Sequence, residues 1–430
     1  MSNSNFKPFI QKIRDVPDIF DSNYNITESK YQNLPLLSLG FHSFIKQIRE
    51  KMNDRQLKER LFYLVVNQFE HKINDYKSDL YNVSKKFLKL NNTKEYSRSF
   101  YKLWELIFYF DLIPLNQKSF LSSHLAEGNG SFLQAVLHYR NKFFKSSDTK
   151  DDNFCVITNH DNKKVNNTIS ECISKWKSSI FKHKTNAKSI LKDESADDGN
   201  LININTIKNY IKLVSKTKKE ATLVTCNGDI DNNVEQDIYK LLLGEIITAA
   251  SIQKKGGNLV IKIFDIYTNI TLKIICILKS LYDDVYICKP LTSRPFKSER
   301  FLVCKNFKYS KGSKITKILE NLMKLLEEMN KIENKGNYIF DIFTDYKLDD
   351  NLIQDIIKYN LILSNSQHLG INNIIEYKNS GNYFGDAYHK YRDLQISATE
   401  WWIEMFFPNN TKELEKKIKY LNQMKIVNSN

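Results

Sequence analysis

The sequence predicts an α/β protein, a largely parallel sheet covered by helices on both faces, with helical extensions before and after it. Between about 95 and 305, short β-rich apolar runs alternate with helical stretches, the pattern of parallel strands joined by crossover helices. One run, Asn258-Leu259-Val260-Ile261-Lys262-Ile263-Phe264, is apolar and rich in β-branched residues, as a buried strand is. Another, Leu121 to Ala126, passes through the glycine-containing turn Glu127-Gly128-Asn129-Gly130 into a helical stretch that starts at Ser131.

At 430 residues the chain is long enough to bury a substantial core. A hydrophobic content of 41% and an aromatic content of 12% exclude a disordered tail. The net charge of +15 favours a polyanionic partner, because lysines that neutralise phosphates release counterions. The abundance of Lys and Asn throughout gives compositional bias as the other explanation. Cys155, Cys172, Cys226, Cys276, Cys288 and Cys304 form no CxxC pair and read as reduced, buried thiols. The sequence has no apolar run of membrane-spanning length, and residues 1–9 lack a signal-peptide core. The expectation is a protein without a membrane segment, located in the cytoplasm or packaged from it.

Along the chain, residues 1–35 are polar, punctuated by Pro8, Pro17 and Pro35, and predict loose wrapping. Helical spacing of apolar residues over 41–90 predicts a helical amino-terminal layer. Strands are expected at 121–126, 154–158, 222–226, 258–264, 285–289 and 300–304. Residues 162–198, polar around Trp176, read as an insertion. From Ile315 onward an apolar stripe at helical spacing predicts helices, with Trp401 and Trp402 anchoring them. The resulting division is 1–94, 95–307 and 308–430, and the two helical extensions are candidate surfaces for a partner protein.

The chemistry concentrates at one rim. Lys262 lies near the end of its strand, and Glu299 stands just ahead of the strand at 300–304. Sheets of this class bind ligands at the carboxyl ends of their strands, so the two side chains suggest a proton-transfer site. The loop between them and the preceding strand carries Arg294, Lys297 and Ser298, donors suited to phosphates. A dinucleotide-binding oxidoreductase is disfavoured, because Gly128-Asn129-Gly130-Ser131-Phe132-Leu133 lacks the third glycine of that fingerprint.

Taken in order, these motifs resemble the FtsJ-type S-adenosylmethionine-dependent RNA 2′-O-ribose methyltransferases, in particular the branch carried by large cytoplasmic DNA viruses. The resemblance covers about 95–307. It implies a Rossmann-like class I methyltransferase sheet of about seven strands. It further implies that Glu127, Gly128, Asn129, Gly130, Ser131 and Phe132 hold the methionine part of S-adenosylmethionine. Asn129 and Ser131 depart from the family's proline and glycine there. Asp198 and Asn200 fall near the adenine position, and Asn159, His160 and Asp161 near the ribose.

The same resemblance makes Lys102, in Arg98-Ser99-Phe100-Tyr101-Lys102, the first catalytic lysine. Lys262 is then the base that takes the 2′-hydroxyl proton, and Glu299 orients the lysines. A fourth position, an aspartate in the family, reads Asn227, with Asp229 two residues on. An amide can hydrogen-bond but carries no charge to hold a lysine. Arg294, Lys297 and Ser298 would contact RNA, and the scheme needs no metal. The implied activity is 2′-O methylation at the 5′ cap of messenger RNA, with ribosomal or transfer RNA as other substrates. The departures at Asn129, Ser131, Asn200 and Asn227 keep open an inactive methyltransferase-fold protein that binds RNA or builds a virion.

Overall fold

The computed structural model describes residues 6–32, 37–53, 62–73, 76–88, 97–128, 130–159, 187–190, 199–228, 235–381 and 383–427. Its strands are β1 (Phe9–Lys12), β2 (Ile26–Ser29), β3 (Leu121–Leu125), β4 (Asn153–Ile157), β5 (Ala187–Ile190), β6 (Ala221–Cys226), β7 (Gln253–Ile263), β8 (Tyr282–Lys289), β9 (Arg300–Phe307) and β10 (Tyr338–Ile342). The longer helices are α1 (Leu39–Glu50), α2 (Phe62–Val66), α3 (Leu80–Phe87), α4 (Arg98–Phe110), α5 (Ser131–Phe143), α6 (Ile204–Ser215), α7 (Glu235–Ile252), α8 (Asn269–Leu281), α9 (Ser313–Asn334), α10 (Asp350–Asn379), α11 (Asp386–Phe406) and α12 (Thr411–Val427). None of the described helices is long and apolar enough to cross a membrane.

One sheet of eight strands runs in the order β1-β8-β9-β7-β6-β3-β4-β5. From β5 to β7 the neighbours are parallel, while β9 is antiparallel to both β7 and β8. Strands β3 to β9 thus form a seven-stranded class I methyltransferase sheet. β1 adds an eighth strand antiparallel to β8, pairing Phe9 with Lys289.

Side-chain alternation splits the core in two. Leu259, Ile261 and Leu302 face the layer of α6 to α10, whereas Val260, Phe301 and Val303 face α4, α5, α11 and α12. Period two then puts Lys262 on the face of Val260, toward the helix that carries Lys102. Glu299, two residues before Phe301, has the same parity.

Two expectations need correction. Residues 1–35 are not uniformly irregular, because β1 completes the free edge of β8 and β2 pairs with β10. Only four residues long and close to Pro8, β1 has no period of its own to read; its strand state is imposed by the open ladder of β8. Among the described residues, the helical layer expected at 41–90 is present as α1, α2 and α3. The carboxyl-terminal region is not all helical, since Tyr338–Ile342 forms β10 against β2. The expected insertion at 162–198 lies outside the described residues except for 187–190, which form β5.

Tryptophan does anchor the extension. Trp402 is fully buried, with its ring centroid 5.7 Å from that of Tyr101 and 4.9 Å from that of Phe406. The five described cysteines are buried, and Cys172 lies outside the described residues.

Candidate active site

The turn after β3 is built from left-handed backbone. Ala126, Gly128 and Gly130 have φ of 47°, 65° and 81°. An alanine there is strained, and such strain persists only where the surroundings enforce it. The Gly128 N–H donates to Thr158 Oγ1 at 3.3 Å, tying the turn to the end of β4.

Glu127 is fully buried beneath this turn. Its Oε1 accepts from the N–H groups of Phe132 (2.6 Å) and Leu133 (3.4 Å) and so caps α5. Burial pushes its carboxyl up to about 8, against those two bonds. Oε2 has no partner within the described residues. A buried carboxyl oxygen left unpaired beside a glycine turn, its ionised form disfavoured for want of a counter-charge, is a place prepared for a cation such as the donor's ammonium.

A side chain at Gly128 would meet nothing within 4 Å, so the turn borders open space. The unpaired oxygen and the open cradle fit the methionine end of S-adenosylmethionine. Ser131 is buried and its Oγ lies 2.5 Å from Ser97 Oγ, which fastens α5 to the start of α4.

Phe132 does not line the turn. Its ring is fully buried 6.0 Å from that of Phe301, making it part of the core rather than the donor site. Asn200 Oδ1 accepts from Ile202 N–H at 3.1 Å, an Asx turn before α6. Asn129, His160, Asp161, Asp198 and Asp229 lie outside the described residues.

The catalytic candidates converge. Lys102 on α4 places Nζ 2.6 Å from Oε1 and 2.8 Å from Oε2 of Glu299. Lys262 Nζ lies 3.9 Å from the same Oε2 and 5.2 Å from the ring centroid of Phe264. Burial disfavours an ionised Glu299, but the ammonium groups of Lys102 and Lys262 outweigh it and hold the carboxyl near 2. Burial also pushes Lys102 below the ordinary lysine range, opposed by Glu299 and reinforced by Arg98 and Lys262. Asn227 follows Cys226, which is in register with Ile261, so Asn227 adjoins Lys262 across the ladder. Its N–H donates to Leu125 O at 3.1 Å.

The loop joining β8 to β9 is held from several sides. Ser293 Oγ donates to Glu299 Oε1 at 2.9 Å, and Lys289 Nζ donates to the carbonyls of Lys297 (2.7 Å) and Glu299 (2.9 Å). Burial lowers Lys289 to about 7. Glu105, three residues after Lys102, accepts from Leu291 N–H and Thr292 N–H, each at 2.8 Å, and from Trp402 Nε1 at 3.1 Å.

Glu70 binds Arg98 (2.6 Å) and Arg294 (2.7 Å), and Arg98 also donates to the Thr292 carbonyl. Although burial opposes it, His71, Arg98 and Arg294 keep Glu70 ionised, near 2. Sequence reasoning missed Glu70, Glu105 and Lys289 as supports. The spacing of Glu105 from Lys102, one helical turn, was the available signal for one of them.

The expected phosphate contacts are largely corrected. Arg294 is paired with Glu70 and lies 4.6 Å over the ring of Tyr63, and it is half-buried. Ser298 is buried, and its carbonyl accepts from Arg300 Nε. Lys297 alone of the three is exposed.

A parallel sheet with a strained glycine turn after one strand, and a Lys–Glu–Lys cluster farther along the same rim, is the arrangement of an S-adenosylmethionine-dependent methyltransferase fold. The comparison with known families gives the same answer. Residues 96–307 match the FtsJ-like methyltransferase family, and this central part of the chain is of that family.

Among individual relatives, the cap-specific mRNA (nucleoside-2′-O-)-methyltransferase 1 of Mus musculus is 31% identical over 137 residues, 31% of this chain and 16% of the relative. The inactive cap-specific mRNA (nucleoside-2′-O-)-methyltransferase 1B of Caenorhabditis briggsae is 26% identical over 178 residues, 40% of this chain and 21% of the relative. A probable methyltransferase of African swine fever virus is 30% identical over 120 residues, 27% of this chain and 28% of the relative. The matches therefore span less than a third of each relative's length.

Proposed function

We propose that this protein methylates the ribose 2′-oxygen of RNA, and that its substrate is the 5′ cap of messenger RNA made in the host cytoplasm. The observation that carries the reading is the convergence of Lys102 and Lys262 on Glu299 at the rim beside the donor turn. The cap assignment draws support from the cap-specific names of the similar proteins.

A 2′-hydroxyl is a weak nucleophile while protonated, so a base must take its proton as the bond forms. S-adenosylmethionine, when bound, supplies a methyl group made electrophilic by its sulfonium. Lys102 makes the two short contacts with Glu299, which leaves Lys262, the more distant partner, as the lysine to accept the 2′-hydroxyl proton once it has given up its own. Ser293 fixes the rotamer of Glu299 from the other side. Glu127 Oε2 and the Gly128 turn would hold the methionine end.

A second reading, a methyltransferase fold without catalysis, is favoured by one feature. The position beside Lys262 carries the neutral amide of Asn227.

Two measurements separate the readings. Calorimetry with S-adenosylmethionine is expected to show binding that Gly130→Trp abolishes; absence of binding at millimolar donor overturns the enzyme. Transfer of labelled methyl to capped and uncapped RNA is expected to favour the capped form and to vanish in Lys262→Ala. Equal transfer by that variant and the parent overturns Lys262 as the base.

A further inference from the structure

A cavity of about 600 Å³ opens on the same rim, beyond the catalytic cluster. Its floor is the Phe9–Lys289 pairing at the β1–β8 edge, and its walls come from the loop after β8, residues 66–69, α10 and α11. The order of strands fixes the layout. The donor turn follows β3, the Lys–Glu–Lys cluster sits on β7 and at the start of β9, and the cavity lies at β8 and β1. Donor site and cavity therefore flank the cluster on opposite sides. Lys262 and Lys289 stand two strand spacings apart, about 10 Å.

The lining has a distinct chemistry. Phe9, Phe296 and Tyr391 supply aromatic groups, and Asn365 and Asn373 supply amides able both to donate and to accept. No Asp or Glu appears among its described lining residues, although the chain holds 49 acidic residues. Exposed Lys7 lies on the lining, and exposed Lys297 adjoins it with Nζ 5.9 Å from the Phe296 ring centroid. Aromatic faces, amides and peripheral ammonium groups without a carboxylate match a nucleobase and its phosphate. The volume lies in the range of small-ligand pockets.

We infer that this cavity binds a nucleotide of the RNA adjoining the acceptor ribose, stacking its base among Phe9, Phe296 and Tyr391. The inference rests on the proposed transferase reading for the position of the acceptor, while its test does not depend on catalysis. Ser293, which lines the cavity and bonds Glu299, joins base recognition to the catalytic carboxylate.

The test uses the full-length protein and a short fluorescein-labelled RNA, followed by anisotropy in the absence of donor. Leu369→Trp fills the cavity from a position that is 61% exposed and so tolerates the substitution. Asn373→Ala removes an amide instead. Each is expected to weaken RNA binding about fivefold or more, the scale of one lost base–aromatic contact, while donor affinity by calorimetry is retained. In a transfer assay the loss is expected in KM for RNA rather than in kcat. RNA affinity within twofold of the parent for both variants overturns the inference. A parent that binds RNA through this cavity but transfers no label overturns the catalytic reading alone.

Discussion

Lys102 and Glu299, 197 residues apart in sequence, meet in a two-oxygen contact of 2.6 and 2.8 Å with both side chains almost entirely buried. Such a pair owes its strength to mutual compensation. Removing one member leaves an unbalanced charge in low dielectric.

Glu299→Ala is accordingly expected to destabilise the fold by about 3 kcal/mol, because two buried lysines lose their shared counter-charge. The double variant Lys102→Met with Glu299→Leu is expected to recover most of that loss. Urea unfolding of the three proteins checks this, and a double variant less stable than Glu299→Ala would contradict it.

Asn227→Asp places a charge next to Lys262. Label transfer is expected to rise about tenfold, the scale of an added interaction of about 1.4 kcal/mol. A fall in transfer with donor affinity intact would show that the amide itself is required.

Glu105→Ala strips the acceptor shared by Leu291 N–H, Thr292 N–H and Trp402 Nε1. Burial raises this carboxyl above the ordinary range, so the side chain holds its place through these bonds rather than through an ion pair. The variant is expected to lose about 2 kcal/mol of stability or more, and to lower kcat because the loop bearing Glu299 loosens. Glu105→Gln keeps one acceptor and is expected to recover part of both. Thermal unfolding and transfer kinetics together read the result.

Stability is expected to fall as pH rises from 5 to 7. The carboxyls of Glu127, Glu235 and Glu245 are pushed by burial from 4.5 to about 8, so in this window the folded protein keeps protons that the unfolded chain has released. Each contributes a slope of up to about 1.4 kcal/mol per pH unit. Glu70 and Glu299, near 2, act in the opposite sense, their stabilisation being lost only as pH falls below the window. Lys289, lowered to about 7, costs stability across this window, and that cost is relieved only as pH rises above it. Unfolding free energies of the parent and Glu245→Gln across the window check the sign, and the variant is expected to show the shallower slope.

The sheet was largely legible because its strands are apolar runs punctuated by turns, and the resemblance to the FtsJ-type family, rather than spacing, joined Lys102 on α4 to Lys262 and Glu299 at the rim. Edge pairing was not. β1 and β10 are short segments whose strand state depends on partners distant in sequence, which no local period reports. Within the site, the side-chain directions of Phe132 and Arg294 were not legible, for a common reason. Motif position identified their neighbourhood, but side-chain direction was decided by Phe301 in one case and Glu70 in the other. Tertiary partners of that kind leave no trace in spacing.

The carboxylate of Glu105 is shared by a loop near residue 291 and an indole at residue 402. During synthesis the first of these emerges more than a hundred residues ahead of the second. The seat of the loop therefore stays incomplete until the ribosome has passed Trp402, and the nascent chain gains its working geometry late, after most of its sheet has been made.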